Sequence, residues 1–451
     1  MINHISSGGF IFYRESRTAK LYVALIVNKN NQIWIPKGHV ETGENSIETA
    51  YREIREEIGL KKENLKYVDF IFKDSYFWKQ DGQIHSKNLD IHLFESIEKQ
   101  DFTLTDETHE EIDRACWFLF EDAINNITYN KNELLLARQI YFKNRNFKKY
   151  TDISEIKKIV FAIPTYNGGK TIKNTLISLL DEIKLLPTHI DCSIVVGIDH
   201  CSDNTLVVVK DFLKNYEHID FYINDGLQGK TNVLNLIYSK SSADILYILD
   251  DDIIFKHGSV FEIIENFTID KNMRILFSQW ERIPYSGNNL SKKFWNYILG
   301  IKFQIQPYVA STQILKGSSM AMRWSDYISL PTEKIFNEDQ YLQYAYYPFT
   351  LEVKKSIVYF NSVSTLFEYY ERFKRILRGD FECRKYFTKK WLMYCDKRLK
   401  RKINHKKILS LPLKQFMAFY FYILIRIPLK FMAKNQILEK KDMDWFRFKV
   451  H

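Results

Sequence analysis

Cysteine, proline and glycine are all scarce: the 451 residues include 5 Cys, 9 Pro and 16 Gly. The cysteines (Cys116, Cys192, Cys201, Cys383 and Cys395) are odd in number, widely spaced and form no Cys-x-x-Cys pair. That excludes a disulfide scaffold or a zinc knuckle and fits a reducing compartment. So little glycine and proline excludes a collagenous or low-complexity chain. The opening MINHISSGGF has neither a basic start nor a long apolar run, so no secretion signal is expected. The uncharged run Gln415 to Ile425 has 11 residues, short of the roughly 20 that span a bilayer. What is present is 45% apolar and 27% charged, in a chain long enough to need two or three hydrophobic cores.

Acidic and basic residues are unevenly placed. Residues 1–150 carry a net charge of −2, residues 151–370 a net of −4, and residues 371–451 a net of +16. A basic tail of this kind implies an anionic partner surface, lipid or nucleic acid. Its aromatic and aliphatic run suits lipid better, and it holds no base-reading module, so nucleic acid is the weaker partner. Extending the run to Leu411–Leu429 adds Lys414, Arg426, Pro412 and Pro428. This predicts one or two broken helices lying on a membrane, with a helix buried against the rest of the chain as the alternative. The expected localisation is cytoplasmic, peripheral on the inner face of the cell membrane.

Strands are predicted at residues 8–13, 20–27, 67–72 and 89–95, with helices at Glu44–Leu60 and Leu134–Phe142. Ile47, Ala50, Ile54 and Ile58 recur at helical spacing, and Gly59 closes the helix. The polar stretch Asn144–Glu155 is a boundary. Beyond it, strands (158–164, 193–198, 219–223, 245–249) alternate with helices (170–182, 205–216, 230–240), which predicts a largely parallel sheet covered on both faces. Ligands of such a sheet bind beyond its carboxyl strand ends.

Two groups of residues carry chemistry. In the first, Gly38 and Gly43 precede a helix bearing Arg52-Glu53-Ile54-Arg55-Glu56-Glu57. Glu53 and Glu57 share a helical face with Glu56 beside them. Such crowding calls for a cation: Arg52, or a divalent ion that also bridges phosphates and activates water. This segment resembles the Nudix box of the Nudix hydrolases at every fixed position, over a domain of residues 1–150. The resemblance implies metal ligands Glu53, Glu56 and Glu57, with Glu56 and Glu57 catalytic. Arg52, Glu44, Gly38 and Gly59 would orient and support them. Trp34–Glu41 and Glu111–Phe118 resemble the subgroup that cleaves diadenosine polyphosphates. On that likeness Lys37 or Lys87 would contact phosphate, Glu110 or Glu111 would assist the metal or water, and Tyr76 or Trp78 would stack on a base.

In the second group, Asp250-Asp251-Asp252 follows the apolar strand Ile245–Leu249. Alternation on an extended segment would aim Asp250 and Asp252 the same way, fit to hold a divalent ion on a diphosphate. Asp199 ends another strand as an acceptor for a base or ribose, Ser202, Asp203 and Thr205 are helix-capping candidates, and Gly229-Lys230 opens a helix suited to an anionic ligand. Glu338-Asp339 follows a loop, leaving a carboxylate to act as general base. The ordered series resembles the family 2 glycosyltransferases of GT-A fold, an inverting type using nucleotide-diphosphate sugars, over residues 157–380.

That likeness implies Thr165, Asp199 and Lys230 at the nucleotide, Asp250 and Asp252 at the metal, and Gly317 in an acceptor-side loop. Asp339 would be the base and Glu338 its structural neighbour. The processive relatives' Gln-x-x-Arg-Trp element is altered to Arg372-x-x-Arg375-Ile376, so Arg375 or Arg378 would contact diphosphate and transfer of one or a few sugars is expected.

The expected fold is α/β: a Nudix mixed α/β/α sandwich, then a GT-A Rossmann-like domain, then a basic amphipathic helical extension over residues 381–451. The expected function is bifunctional and uses Mg²⁺ or Mn²⁺. One half would hydrolyse a nucleoside diphosphate-linked or dinucleoside polyphosphate substrate. The other would transfer sugar to a glycan, lipid or protein acceptor. The alternatives are a non-catalytic nucleotide-sensing Nudix module and a nucleic-acid-binding protein.

Overall fold

The computed structural model describes residues 2–80, 83–104, 112–145, 148–214, 216, 219–305, 309–310, 314–333, 336–399, 402–403 and 405–438. The chain divides into two compact units, Met1–Asn146 with Tyr386–Thr388, and Phe147–Lys385 with Lys389–His451.

The first unit comprises β1 (Ile2–Arg14), β2 (Leu21–Asn28), β3 (Ile33–Trp34), β4 (Lys37–His39), α1 (Ser46–Ile58), β5 (Leu65–Gln80), β6 (Gln83–Ser96), β7 (Ile112–Leu119), α2 (Phe120–Asn126) and α3 (Lys131–Asn144). Its seven strands form one sheet in the order β3-β2-β1-β6-β5, with β4 on β1 and β7 on β2. Side-chain alternation along β1 serves two layers. Ile11 packs with Ala50, Ile54 and Ile58 of α1, whereas its neighbour Phe12 meets Phe120 and Tyr141 of α2 and α3 edge-on. The result is a helix–sheet–helix sandwich. Helix α1 starts where Asn45 and Glu48 form a reciprocal capping box, and stops at Gly59, whose φ of 76° favours glycine.

The second unit runs β8 (Lys158–Thr165), α4 (Ile172–Ile183), β9 (Asp191–Asp199), α5 (Thr205–Leu213), β10 (Ile219–Asn224), α6 (Lys230–Lys240), β11 (Ile245–Leu249), β12 (Ile253–Phe255), α7 (Ser259–Ile269), β13 (Ile275–Ile283), α8 (Leu290–Gln304), β14 (Val309–Ala310), β15 (Ser319–Arg323), α9 (Glu338–Tyr346), β16 (Thr350–Asn361), α10 (Leu366–Arg384), α11 (Lys389–Leu399), β17 (Lys402–Ile403), α12 (His405–Leu409) and α13 (Leu413–Leu438). Eight strands order as β10-β9-β8-β11-β15-β13-β16-β12. Only β10, β9, β8 and β11 form a continuous parallel block, so the expected largely parallel sheet is corrected to a mixed one. Strand β15 lies antiparallel to β11, with Ser319 opposite Leu249. A parallel neighbour would need a crossover back to the opposite end of the strands. Here the chain enters β15 from the carboxyl end of β11, which brings the Gly317 loop beside Asp250: the Asp250 amide donates to the Ser318 carbonyl at 3.0 Å.

Val196 and Ile198 of β9 join the core formed with α4, α5 and α7. Between them Gly197 faces α6, where an added Cβ would lie 2.1 Å from Val233 Cγ1. The helix therefore seats directly on the strand.

Helices α8, α10 and α13 share a separate core built on Leu299, Tyr369, Phe419 and Tyr422. The expected broken helices are corrected to one continuous 26-residue helix, with Pro428 inside it. Pro412 precedes the first turn, where its missing N–H costs nothing, and its carbonyl accepts from Gln415 and Phe416. Pro428 is exposed, so the carbonyl it leaves unbonded lies on the outer side. By length and composition, Leu413–Ala433 is apolar enough to cross a membrane.

Gly197→Val should destabilise the second unit by about 1–3 kcal/mol through overpacking. Gly226→Ala, whose Cβ would sit 3.5 Å from Asn224 Oδ1, should not. Urea denaturation of both variants checks this, and equal midpoints would contradict it.

Candidate active sites

In the first unit the capping box orients α1 so that its carboxylates surround Arg52. That guanidinium donates to Glu44 Oε1 at 2.8 Å, Glu53 Oε1 at 2.7 Å, Glu56 Oε2 at 2.9 Å and the His39 carbonyl at 2.7 Å. The planar fork of arginine matches several carboxylates at once, as an ammonium would not. Arg52's hydrogen bond holds Glu44 down at about 2, with Thr49 adding a second donor. Glu53 is displaced upward, because burial outweighs Arg52.

Gly38 lies against the Glu53 carboxylate, where a Cβ would come within 2.1 Å of it. Glu57 takes the Lys37 backbone N–H at 2.7 Å, while the Lys37 ammonium sits over the Trp34 ring at 5.4 Å. Lys87 is lowered by burial and by Lys37, with Glu53 and Glu57 opposing, so both lysines flank the carboxylates.

Among the described residues no three His, Cys, Asp or Glu side chains gather closely enough to hold a metal ion. The donor set itself, carboxylate oxygens with Arg52 between them, has the hard chemistry that suits Mg²⁺ or Mn²⁺. Glu110 and Glu111 lie outside the described residues, as do the side chains of Tyr76 and Trp78.

In the second unit a cavity of about 330 Å³ opens beyond the carboxyl ends of β8, β9 and β11. Thr165, Asp199, Lys230, Asp250, Asp251, Asp252, Gly317, Glu338, Asp339 and Arg375 all line it. Asp251 and Asp252 form a turn rather than continuing an extended segment. Asp251 turns inward and accepts the Thr165 hydroxyl, so Thr165 braces the turn. Asp199 is likewise committed: it accepts from Gly229 N at 2.9 Å and from Asn224 Nδ2 at 2.8 Å. The mouth of α6, expected to take an anionic ligand, is answered by this buried carboxylate. Of the expected caps, Asp203 accepts the Thr205 amide at 3.0 Å, although Asn204 holds the N-cap position.

Lys230 Nζ lies 2.6 Å from both Asp250 Oδ1 and Glu338 Oε1. Burial alone would lower its pKa, but the two carboxylates outweigh burial and raise it. This bridge ties the strand-end acids to α9. Sequence reading placed Lys230 at phosphate and missed the pairing, because contacts between residues 20 and 108 positions apart leave no local pattern. Asp339 is the second residue of α9. Its Oδ2 takes the Gly317 amide at 3.2 Å and its Oδ1 the Gln340 amide at 2.7 Å. Burial and then Glu338 push its carboxyl up to about 7. A Cβ at Gly317 would press on Asp339 Cβ at 3.1 Å and Glu338 Oε1 at 3.2 Å.

From α10, the altered element presents Arg372, Arg375 and Ile376 to the cavity, whereas Arg378 is not among its lining residues. Burial and Arg372 lower Arg375, with Asp250, Glu338 and Asp252 opposing.

Arg52→Gln should release Glu44 from about 2 toward the ordinary glutamate value of about 4.3. A carboxyl depressed in the folded state stabilises above its unfolded pKa. The wild-type advantage should therefore be full at neutral pH and shrink as pH falls toward 2. Side-chain NMR titration and urea denaturation across that range check this; ordinary titration of Glu44 in the wild type would contradict it.

The NUDIX domain model matches residues 8–140, and the Glycosyl transferase family 2 model matches residues 160–324. No curated protein matches the chain. Among solved structures, a C. elegans Ap4A hydrolase binary complex is 23% identical, covering 29% of this chain and 92% of its own, with a TM-score of 0.23. The mannosyltransferase PcManGT from Pyrobaculum calidifontis, in complex with GDP-Man and Mn²⁺, is 13% identical over 72% of this chain and 87% of its own, with a TM-score of 0.39. S. aureus TarS 1–349 is 15% identical over 65% and 94%, with a TM-score of 0.35. This chain joins two enzymatic domains, a NUDIX domain over residues 8–140 and a family 2 glycosyltransferase domain over residues 160–324.

Proposed function

We propose that the chain is a bifunctional enzyme. Its first unit hydrolyses a phosphoanhydride bond in a dinucleoside polyphosphate or a nucleoside diphosphate-linked compound. Its second unit transfers a sugar, with inversion, from a nucleotide-diphosphate sugar to an acceptor hydroxyl. The observation that carries the reading is the single cavity holding Asp250, Asp252, Lys230 and Asp339, together with the Arg52-centred carboxylates of α1.

Glu53, Glu56 and Glu57 in one unit, and Asp250 and Asp252 in the other, would hold Mg²⁺ or Mn²⁺. A bound divalent ion neutralises phosphate charge, and in the hydrolase it also makes water a stronger nucleophile. Around it, Lys37 and Lys87 bind phosphate in the first unit, and Arg375 binds the diphosphate in the second. Asp339 receives the acceptor's proton. Its raised pKa makes it a stronger base than an exposed aspartate, and the Gly317 and Gln340 amides fix its direction. The wall formed by Thr165 and Asp199 places the nucleotide. The +16 region at residues 371–451 keeps the enzyme on the cytoplasmic face of the membrane; nucleic acid is not part of this reading.

Glu56→Gln should lower metal-dependent pyrophosphatase activity about 100-fold or more while sugar transfer persists. Nucleotide binding with no hydrolysis in the wild type would instead favour a sensing module. Asp339→Asn should lower transfer by a similar factor. Wild-type transfer should rise with pH through about 7, as Asp339 ionises, and level off above. A flat profile, or full transfer by Asp339→Asn, would contradict the assignment.

A further inference from the structure

The glycosyltransferase cavity and the apolar surface of α13 meet on α8. Lys292 and Asn296, one turn apart on α8, line the cavity. Leu290 and Phe294, one turn apart on the same helix, are 79% and 49% exposed. Phe294 and its neighbour Trp295 touch Phe421 of α13, with ring centroids 6.1 and 6.3 Å away.

Along α13, Leu413, Met417, Tyr420, Leu424, Ile427 and Phe431 recur every three or four residues and are all exposed. At 1.5 Å per residue they form an apolar stripe about 27 Å long. Ala418, Tyr422 and Ala433, on the opposite side, are buried. Lys414, Arg426 and Lys430 are exposed at its flanks, and no Asp or Glu occurs between residues 413 and 438.

An apolar stripe edged by cations suits a bilayer containing anionic lipid: the stripe enters the acyl boundary and the cations meet headgroups. A second copy fits poorly, because a two-fold contact would set one strongly basic tail against another. Such a stripe fits a helix lying in the membrane plane rather than across it. Its inner side is held against α8 and α10, and those helices carry the polar cavity residues Asn296, Glu368 and Arg372.

We propose that the acceptor is a lipid-anchored, hydroxyl-bearing molecule, whose headgroup enters the cavity between α8 and α10 while its chain stays in the bilayer beside α13. This rests on the glycosyltransferase reading above and names its acceptor class. The headgroup oxygen bonds to the anomeric carbon as the carbon–diphosphate oxygen bond breaks. The hydroxyl proton passes to Asp339, and the electron pair leaves with the nucleoside diphosphate.

The test uses the full-length chain and labelled UDP-glucose, UDP-N-acetylglucosamine, UDP-galactose and GDP-mannose. The acceptor probe is diacylglycerol in phosphatidylcholine–phosphatidylglycerol vesicles, against glycerol in solution. The wild type should float with these vesicles, release them as salt rises, and move label into the organic phase. Leu424→Glu and Ile427→Glu sit at exposed positions, and a melting temperature confirms that they fold. Each should lower flotation and lipid labelling at least tenfold. Transfer to soluble acceptors without flotation, or loss of a dimer or of DNA binding in these variants in place of vesicle binding, would overturn the inference alone. Absence of donor turnover under every condition would remove the glycosyltransferase reading and the inference with it.

Discussion

Lys230 sits between two carboxylates, 2.6 Å from Asp250 and 2.6 Å from Glu338, with only 15% of its side chain exposed. The second unit's cavity depends on that bridge. Asp250 ends a strand and Glu338 begins a helix, and without a cation their charges would push the two elements apart in a poorly solvated place. Removing one partner of a buried ion pair typically costs about 3–5 kcal/mol, because the remaining charge is left uncompensated. Burial, and then the neighbouring Glu338, raise the pKa of Asp339, while Lys230 opposes them. The two members of the ion pair thus act on the proposed base with opposite signs, beneath the larger effect of burial.

Arg52 solves the same problem in the first unit by a different geometry. Four carboxylates lie within 4.0 Å of its guanidinium, on Glu41, Glu44, Glu53 and Glu56. A lysine can join two carboxylates, as in the second unit, but a guanidinium can address several while also donating to the His39 carbonyl. Each cation neutralises its acids in the form described here and shares those acids with any divalent ion that binds. In both sites a protein cation stands among the acids proposed to hold a divalent ion.

The sequence made local features legible. Helix α1 and its Gly59 stop follow from the spacing of Ala50, Ile54 and Ile58, and the β8–β9–β10–β11 block follows from apolar runs alternating with amphipathic helices. Features set by distant pairing were not legible. The antiparallel entry of β15 depends on which strand end the chain returns to, and nothing in SMAMR records that. Asp199 and Thr165 have residue types equally suited to a ligand and to bracing a loop; their bonds to Gly229 and Asp251, which add a bracing role at the cavity wall, join residues too far apart in the chain to leave a local pattern. Continuity of α13 through Pro428 was concealed because proline ordinarily ends a helix, and only the exposed position of that turn accommodates it.

In the proposed function two separate acidic clusters each accept a divalent ion together with a phosphorylated ligand. Titrating Mn²⁺ into the full-length chain in the presence of a nucleoside diphosphate, followed by electron paramagnetic resonance, tests it directly. Two classes of bound ion should be seen. One should vanish in Glu56→Gln/Glu57→Gln and the other in Asp250→Asn/Asp252→Asn. Mn²⁺ binding that neither double variant alters would contradict the account.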